Sequence, residues 1–165
     1  MSKKNIFGIG MKKIEIAFKK ENVNFNRPDF QELYIQCGYS QSSMEKILTN
    51  SHKILLAYHN DAVIGFITTL SNGENYVYYD KIGVRKDYRG RGIGWRLFAF
   101  MTKYYKNVPV HSLLAKVDSV KFYEKFGFRI IGEKYENENS IIIPMLKINK
   151  VVSKTATRKF LGNKN

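Results

Sequence analysis

Val84-Arg85-Lys86-Asp87-Tyr88-Arg89-Gly90-Arg91-Gly92-Ile93-Gly94 is the stretch on which the reading of this chain turns. Behind it, Tyr76 to Val84 reads as a strand. Ahead of it, Ile93, Leu97, Phe100 and Tyr104 recur on one stripe of a helix from Gly92 to about Lys106. Glycines at a strand-to-helix junction let the backbone approach a ligand and turn several N–H groups on one spot. The helix start favours negative charge at the same place, and Arg89 and Arg91 add forked donors suited to phosphate oxygens. Spacing alone leaves two readings open, an anion cradle and a tight turn with solvated charges. Two phosphate-loop patterns are excluded. There is no Gly-Lys-Ser/Thr, and the order R-G-R-G-I-G is not the G-x-G-x-x-G that follows an early strand in a dinucleotide fold.

Outward from the loop, Met11 to Phe18 alternates Ile14, Ile16 and Phe18 with polar residues, the period of a half-buried strand. Pro28-Asp29-Phe30 opens a helix with Phe30, Leu33 and Tyr34 at helical spacing, ending near Gly38, and a second short helix covers Ser43 to Leu48. The apolar runs Lys53–Tyr58 and Ala62–Thr68 flank Asn60-Asp61 and read as a hairpin. After Pro109 come a strand from Val110 to Lys116, a helix from Asp118 to Phe126 closed by Gly127, and a strand start at Phe128 to Gly132. A polar loop from Glu133 to Ser140 and a last strand from Ile141 to Leu146 follow. Strand, glycine loop, helix, strand is a parallel crossover. The fold class is therefore α/β of the α+β kind, a mixed sheet in one domain over residues 1–146, with a basic tail over 147–165.

The chain has 165 residues, 44% of them hydrophobic, which excludes a disordered chain. Cys37 alone cannot form an intramolecular disulfide or a cysteine cluster for zinc. It sits beside Gly38 with no sequence neighbour to activate it, which reads as packing. His52, His59 and His111 lack metal-ligand spacing, so no metal is expected; His111 reads as a core or surface histidine. No apolar run reaches the ~18 residues of a membrane span, and the N-terminus lacks a cleavage signature. A soluble cytoplasmic protein is the expectation. The net charge is +14, but residues 1–20 carry +5 of it and residues 147–165 carry +6. Inside, residues 81–106 hold eight basic residues against Asp87 alone. Positive charge gathered on one glycine-rich segment suits a compact polyanion. The basic termini keep a nucleic-acid or ribosome-associated binding module open as a second class.

Arg89-Gly90-Arg91-Gly92-Ile93-Gly94 resembles R/Q-x-x-G-x-G/A, the acyl-CoA pyrophosphate loop of the GNAT superfamily of N-acetyltransferases. Val120-Lys121-Phe122-Tyr123-Glu124-Lys125-Phe126-Gly127-Phe128 resembles that family's F-Y-x-x-x-G-F element, in the right order and spacing. The likeness extends over roughly Met11 to Leu146. It implies six or seven mostly antiparallel strands with a central splayed parallel pair, about four helices, and acetyl-CoA as co-substrate without a metal.

By this resemblance, the backbone of Ile82, Gly83 and Val84 pairs with the pantetheine arm and one of its N–H groups steadies the oxyanion. Amides from Arg89 through Gly90, Arg91, Gly92 and Ile93 to Gly94 hold the pyrophosphate. Tyr123 matches the tyrosine that protonates the departing thiolate; its other reading is a core aromatic. A base must take the acceptor's proton. By strand alternation Tyr78 and Asp80 share a face with Ile82 and Val84, and Asp80 is the only carboxylate in that run. It is read equally as the base and as an ion-pair partner of Lys81 or Arg85. Two positions depart from the family pattern, Lys116 where many relatives have asparagine and Lys81 where many have an acid. The expected activity is direct acetyl transfer to the primary amine of a small molecule in a ternary complex, with protein amines also open as acceptors. A homodimer is left open.

Overall fold

The computed structural model describes residues 14–18, 27–137 and 140–150. Its elements run β1 (Glu15–Phe18), α1 (Pro28–Gln36), α2 (Gln41–Asn50), β2 (Lys53–His59), β3 (Ala62–Ser71), β4 (Tyr76–Val84), α3 (Ile93–Tyr104), β5 (Val110–Lys116), α4 (Val120–Glu124), β6 (Arg129–Ile130), β7 (Tyr135–Asn137) and β8 (Ser140–Ile148). The sheet order is β1-β2-β3-β4-β5-β8-β6, with β7 also on β8. Every pair is antiparallel except β4 and β5.

Local chemistry accounts for the hairpin at β2–β3. Asn60 and Asp61 take φ of 51° and 63°, the doubly left-handed turn that matches the twist of paired strands and that Asn and Asp tolerate best. Pro28 fixes the first turn of α1, which buries Phe30, Leu33 and Tyr34. Arg27 forks onto Asp29 at 2.8 and 3.0 Å, and Asp29 accepts the Val63 amide at 2.8 Å. Those bonds lock the start of α1 to β3. One face of the sheet packs Phe30, Tyr34, Leu48, Leu56 and Phe66 under α1 and α2. The other packs Ile64, Val77, Tyr79, Leu97, Phe98 and Phe128 under α3 and α4.

Two irregularities shape the middle of the sheet. The β4–β5 pairing runs only from Tyr76↔Val110 to Tyr79↔Leu113, although both strands continue, so the parallel pair splays. In the β3–β4 pairing Thr69 opposes Tyr79 and Thr68 opposes Lys81, which leaves Asp80 as a bulge.

Several boundaries differ from those read off the sequence. The run Glu133–Ser140, expected to be a loop, contains β7, which folds back on β8 with Tyr135 opposite Ile142. Its outer face is solvated, so no apolar alternation marks it. It brings the strands to eight among the described residues. The helix expected from Asp118 begins as a separate 3-10 turn, Val117–Ser119, and α4 proper is shorter. β8 continues past Leu146, with Lys147 opposite His111 and Ile148 opposite Val110, so these two are ladder residues rather than the opening of a tail. Met11–Lys13 of the first strand, and residues 151–165, lie outside the described residues.

Candidate active site

The glycine loop leaves β4 through a 3-10 turn, Lys86–Tyr88. Gly90 and Gly92 take φ of +74° and +73°, and a Cβ at either would meet nothing within 4 Å. Conformation, not crowding, demands glycine there, and the space above both is open to a ligand. The first helical bond of α3 runs from the Arg96 amide to the Gly92 carbonyl at 3.0 Å. The amides of Ile93, Gly94 and Trp95 precede it and have no acceptor inside the helix. Both loop arginines have contacts within the protein. Arg89 Nε donates to the Val84 carbonyl at 3.0 Å. The Arg91 guanidinium stands 5.2 Å from the centre of the Tyr88 ring, and Arg85 stands over the same ring at 5.7 Å. Tyr88 Oη is joined to His59 Nδ1 at 2.8 Å.

Where β4 and β5 part, a cleft of about 1040 Å³ opens. Its lining includes Arg89, Gly92 and Trp95 of the glycine loop and helix start, together with Tyr39, Asp80, Lys81, Gly83, Lys116 and Tyr123. A Cβ on Gly83 would collide with Cys37 Sγ and lie 2.6 Å from Phe66 Cε1, so here glycine is required for close approach. Cys37 thus packs against the strand beside the cleft, where burial pushes its thiol up against the opposing pull of Arg89. Tyr39 Oη donates to the Ile82 carbonyl at 3.1 Å and accepts from the Ile82 amide at 3.4 Å, so it engages the peptide units on both sides of Ile82. Burial pushes the Tyr39 phenol well up, and its bond to Ile82 only partly offsets this.

The bulge at Asp80 breaks the alternation expected from the sequence. Ile82 and Val84 pack on the same cluster as Val77 and Tyr79, while Gly83 faces Cys37 and Phe66. Tyr78 and Asp80 therefore do not share a face with Ile82 and Val84. Asp80 instead pairs with its neighbour Lys81 at 2.5 Å, with side chains 12% and 24% exposed. Burial, and then the charge of Asp80, push the Tyr78 phenol up. Burial, and then Tyr78, push Tyr123 up to about 12. Asp80, Tyr78 and Tyr123 line the same cleft. Tyr123 is 7% exposed and packs on Phe98 and Phe122 at ring distances of 5.2 and 5.0 Å. Its hydroxyl has no protein partner among the described residues. The ring belongs to the core cluster, and the residue also lines the cleft.

His111 is a core residue, fully buried, with Nδ1 on Tyr79 Oη at 2.8 Å and Nε2 on the Val108 carbonyl at 2.9 Å. Among the described residues no group of three or more His, Cys, Asp or Glu could hold a metal ion, and no helix is long and apolar enough to cross a membrane. The site residue that sequence reasoning missed is Tyr39, which follows α1 and meets Ile82 from more than forty residues away with no local motif to mark it; Cys37, read as packing, does pack on Gly83. Lys116, noted only as a departure, reaches the α1–α2 turn, where a Cβ on Gly38 would stand 3.9 Å from its Nζ.

A family model described as an acetyltransferase (GNAT) domain matches residues 16–149. Zebrafish (Danio rerio) N-alpha-acetyltransferase 50 is 26% identical over 106 residues, 59% of this chain. The match spans 63% of that curated relative's length. Among solved structures, a GNAT family acetyltransferase from Streptococcus pneumoniae TIGR4 is 27% identical and superposes with a TM-score of 0.66, covering 76% of this chain and 99% of its own. A GNAT family acetyltransferase from Elizabethkingia anophelis, solved with acetyl-CoA bound, shares the fold at a TM-score of 0.66 and 18% identity, covering 83% of this chain and 99% of its own.

Proposed function

This chain belongs to the GNAT acetyltransferase family, and from that premise we propose that it moves the acetyl group of acetyl-CoA directly to the primary amine of a small molecule in a ternary complex. The observation that carries the proposal is a single cleft joining the glycine cradle, the splayed end of β4 and the Tyr123 hydroxyl. The cradle suits a pyrophosphate. Two glycines with left-handed φ have open space where a side chain would stand, beside the uncommitted first amides of a twelve-residue helix. Bound acetyl-CoA supplies the thioester carbonyl that the amine attacks.

The remaining work falls to this chain's residues. Amides from Arg89 to Gly94 anchor the donor's phosphates. Gly83 and Val84 offer backbone groups to the donor arm, while the amide and carbonyl of Ile82 are both engaged by Tyr39. Asp80 takes a proton from the acceptor ammonium, directly or through water, and Tyr123 Oη donates to the departing sulfur. Lys116 adds a cation to the lining of the cleft.

Calorimetric titration with acetyl-CoA tests the donor half, with a Gly92→Asp variant of verified fold as control. Binding by the wild type alone supports the cradle, and binding by neither removes it. An amine panel with thiol-release detection then tests transfer. A second reading, transfer to the α-amine of a polypeptide, is favoured by the likeness to N-alpha-acetyltransferase 50. Unblocked peptides in the same panel decide between the two. Polyanion binding through the basic termini is a separate matter. Truncation after Lys150, which spares β8, leaves catalysis intact on the enzyme reading and abolishes a steep salt-dependent RNA affinity on the other.

A further inference from the structure

The acceptor side of the cleft already holds a primary amine. In a regular strand, consecutive side chains point to opposite faces. The bulge at Asp80 suspends that rule, and the Asp80 carboxylate and the Lys81 ammonium meet at 2.5 Å. The same ammonium stands 5.6 Å from the centroid of the Tyr39 ring. A carboxylate on one side and an aromatic face on the other is the environment that recognises an ammonium group. The pair is largely withdrawn from solvent, with 12% and 24% of the two side chains exposed. Asp80, Lys81 and Tyr39 line the same cleft as the glycine cradle and Tyr123. Lys81 directly precedes Ile82, the first strand residue assigned to the donor arm.

Resting on the donor and base assignments above, we propose that Lys81 is the protein's own acceptor, its side chain occupying the seat of an incoming amine and being acetylated in cis. The step balances without a further reactant. The Lys81 ammonium gives one proton to Asp80 and onward to water, and the freed Nζ lone pair attacks the thioester carbon. The C–N bond forms and the C–S bond breaks. Tyr123 Oη donates a hydrogen bond to the departing sulfur, and the second proton that the nitrogen sheds ends on that sulfur. The products are Nζ-acetyl-Lys81 and CoA. Acetylation removes the charge that ties Lys81 to Asp80, and so opens the carboxylate to a second amine.

The full chain is mixed with acetyl-CoA and no added amine. Acetylated positions are mapped by peptide mass spectrometry, and acetyl-CoA affinity is measured by calorimetry on the same preparations. The expected result is one acetyl group on Lys81, at a rate independent of protein concentration and suppressed by excess free CoA. In Asp80→Asn the rate should fall roughly tenfold or more while acetyl-CoA affinity stays within about twofold. In Lys81→Arg no other lysine should take up the label at that rate. Acetyl-CoA bound with Lys81 unmodified overturns the proposal and leaves the donor reading standing. So does labelling that excess CoA does not slow, or that rises with protein concentration. Failure to bind acetyl-CoA overturns both.

Discussion

Replacing Tyr123 with phenylalanine removes one oxygen from a buried ring and keeps its packing on Phe98, Phe122 and Phe128. Because that oxygen has no protein partner among the described residues, folding stability should change by less than about 1 kcal/mol, and the effect should fall on chemistry. Burial, then Tyr78, holds the phenol at about 12, whereas a thiol ordinarily titrates at about 8.5. Complete proton transfer between groups so matched is uphill by roughly 3.5 pH units, or about 5 kcal/mol. The sulfur leaves in the same poorly hydrated cleft, which raises its own proton affinity and narrows the gap. What Tyr123 supplies in the transition state is therefore chiefly a charge-assisted hydrogen bond, worth about 1.5–3 kcal/mol.

That range corresponds to a fall in kcat of roughly ten- to 150-fold for Tyr123→Phe, with KM for acetyl-CoA within about twofold, because the bond strengthens only as charge develops. The assay is thiol release at saturating donor from about pH 6 to about pH 10, beside a denaturant melt of each protein. A phenol held this high stays protonated throughout, so it contributes no alkaline limb. Two results would refute the reasoning: a change in kcat below about threefold with the fold intact, or a wild-type alkaline limb near pH 8.5 that vanishes in Tyr123→Phe. The second would mean that the phenol ionises far below where the cleft holds it.

Gly83→Ala should destabilise by about 1–3 kcal/mol through overpacking against Cys37 Sγ and Phe66. Adding Cys37→Ala should restore part of it in chemical denaturation, and strict additivity of the two changes would contradict the contact. Gly92→Ala meets no neighbour within 4 Å, so its stability loss is limited to about 1–2 kcal/mol of left-handed strain. Its calorimetric acetyl-CoA Kd should rise roughly tenfold because the methyl stands in the cradle; an unchanged Kd would place the phosphates elsewhere. His111 is held below its ordinary value, mainly by burial. The unfolded chain then takes up a proton first as pH falls below about 6.5. The stability His111 contributes is complete above that pH and declines below it, by up to about 1.4 kcal/mol per pH unit. His111→Gln should flatten this slope in melts at about pH 7.5 and about pH 5.5, and an unaltered slope would assign it to other groups.

The two halves of the cleft differ in how far the sequence reveals them, and the reason is covalent continuity. The donor half is a run of consecutive residues, Val84 to Gly94, whose glycines, strand and helix constrain one another locally. The turn at Asn60-Asp61 was legible for the same reason, since its backbone angles follow from residue type. Tyr123 came with a motif of consecutive residues, Val120 to Phe128. The acceptor half has no such continuity. Whether Asp80 faces Ile82 depends on how Thr68 and Thr69 pair across the sheet, a register that period-two reading of β4 cannot contain. Tyr39 reaches Ile82 across a tertiary contact that Asp29 and the packing of α1 on the sheet hold, and Lys116 stands near Gly38 at the end of β5 beyond its pairing with β4. A cleft built this way can change its acceptor by altering single residues on α1, the bulge or the end of β5 while the donor run stays as it is. Acceptor identity should therefore respond to exchanges at Tyr39, Lys81 and Lys116, and acetyl-CoA affinity to exchanges at the glycines.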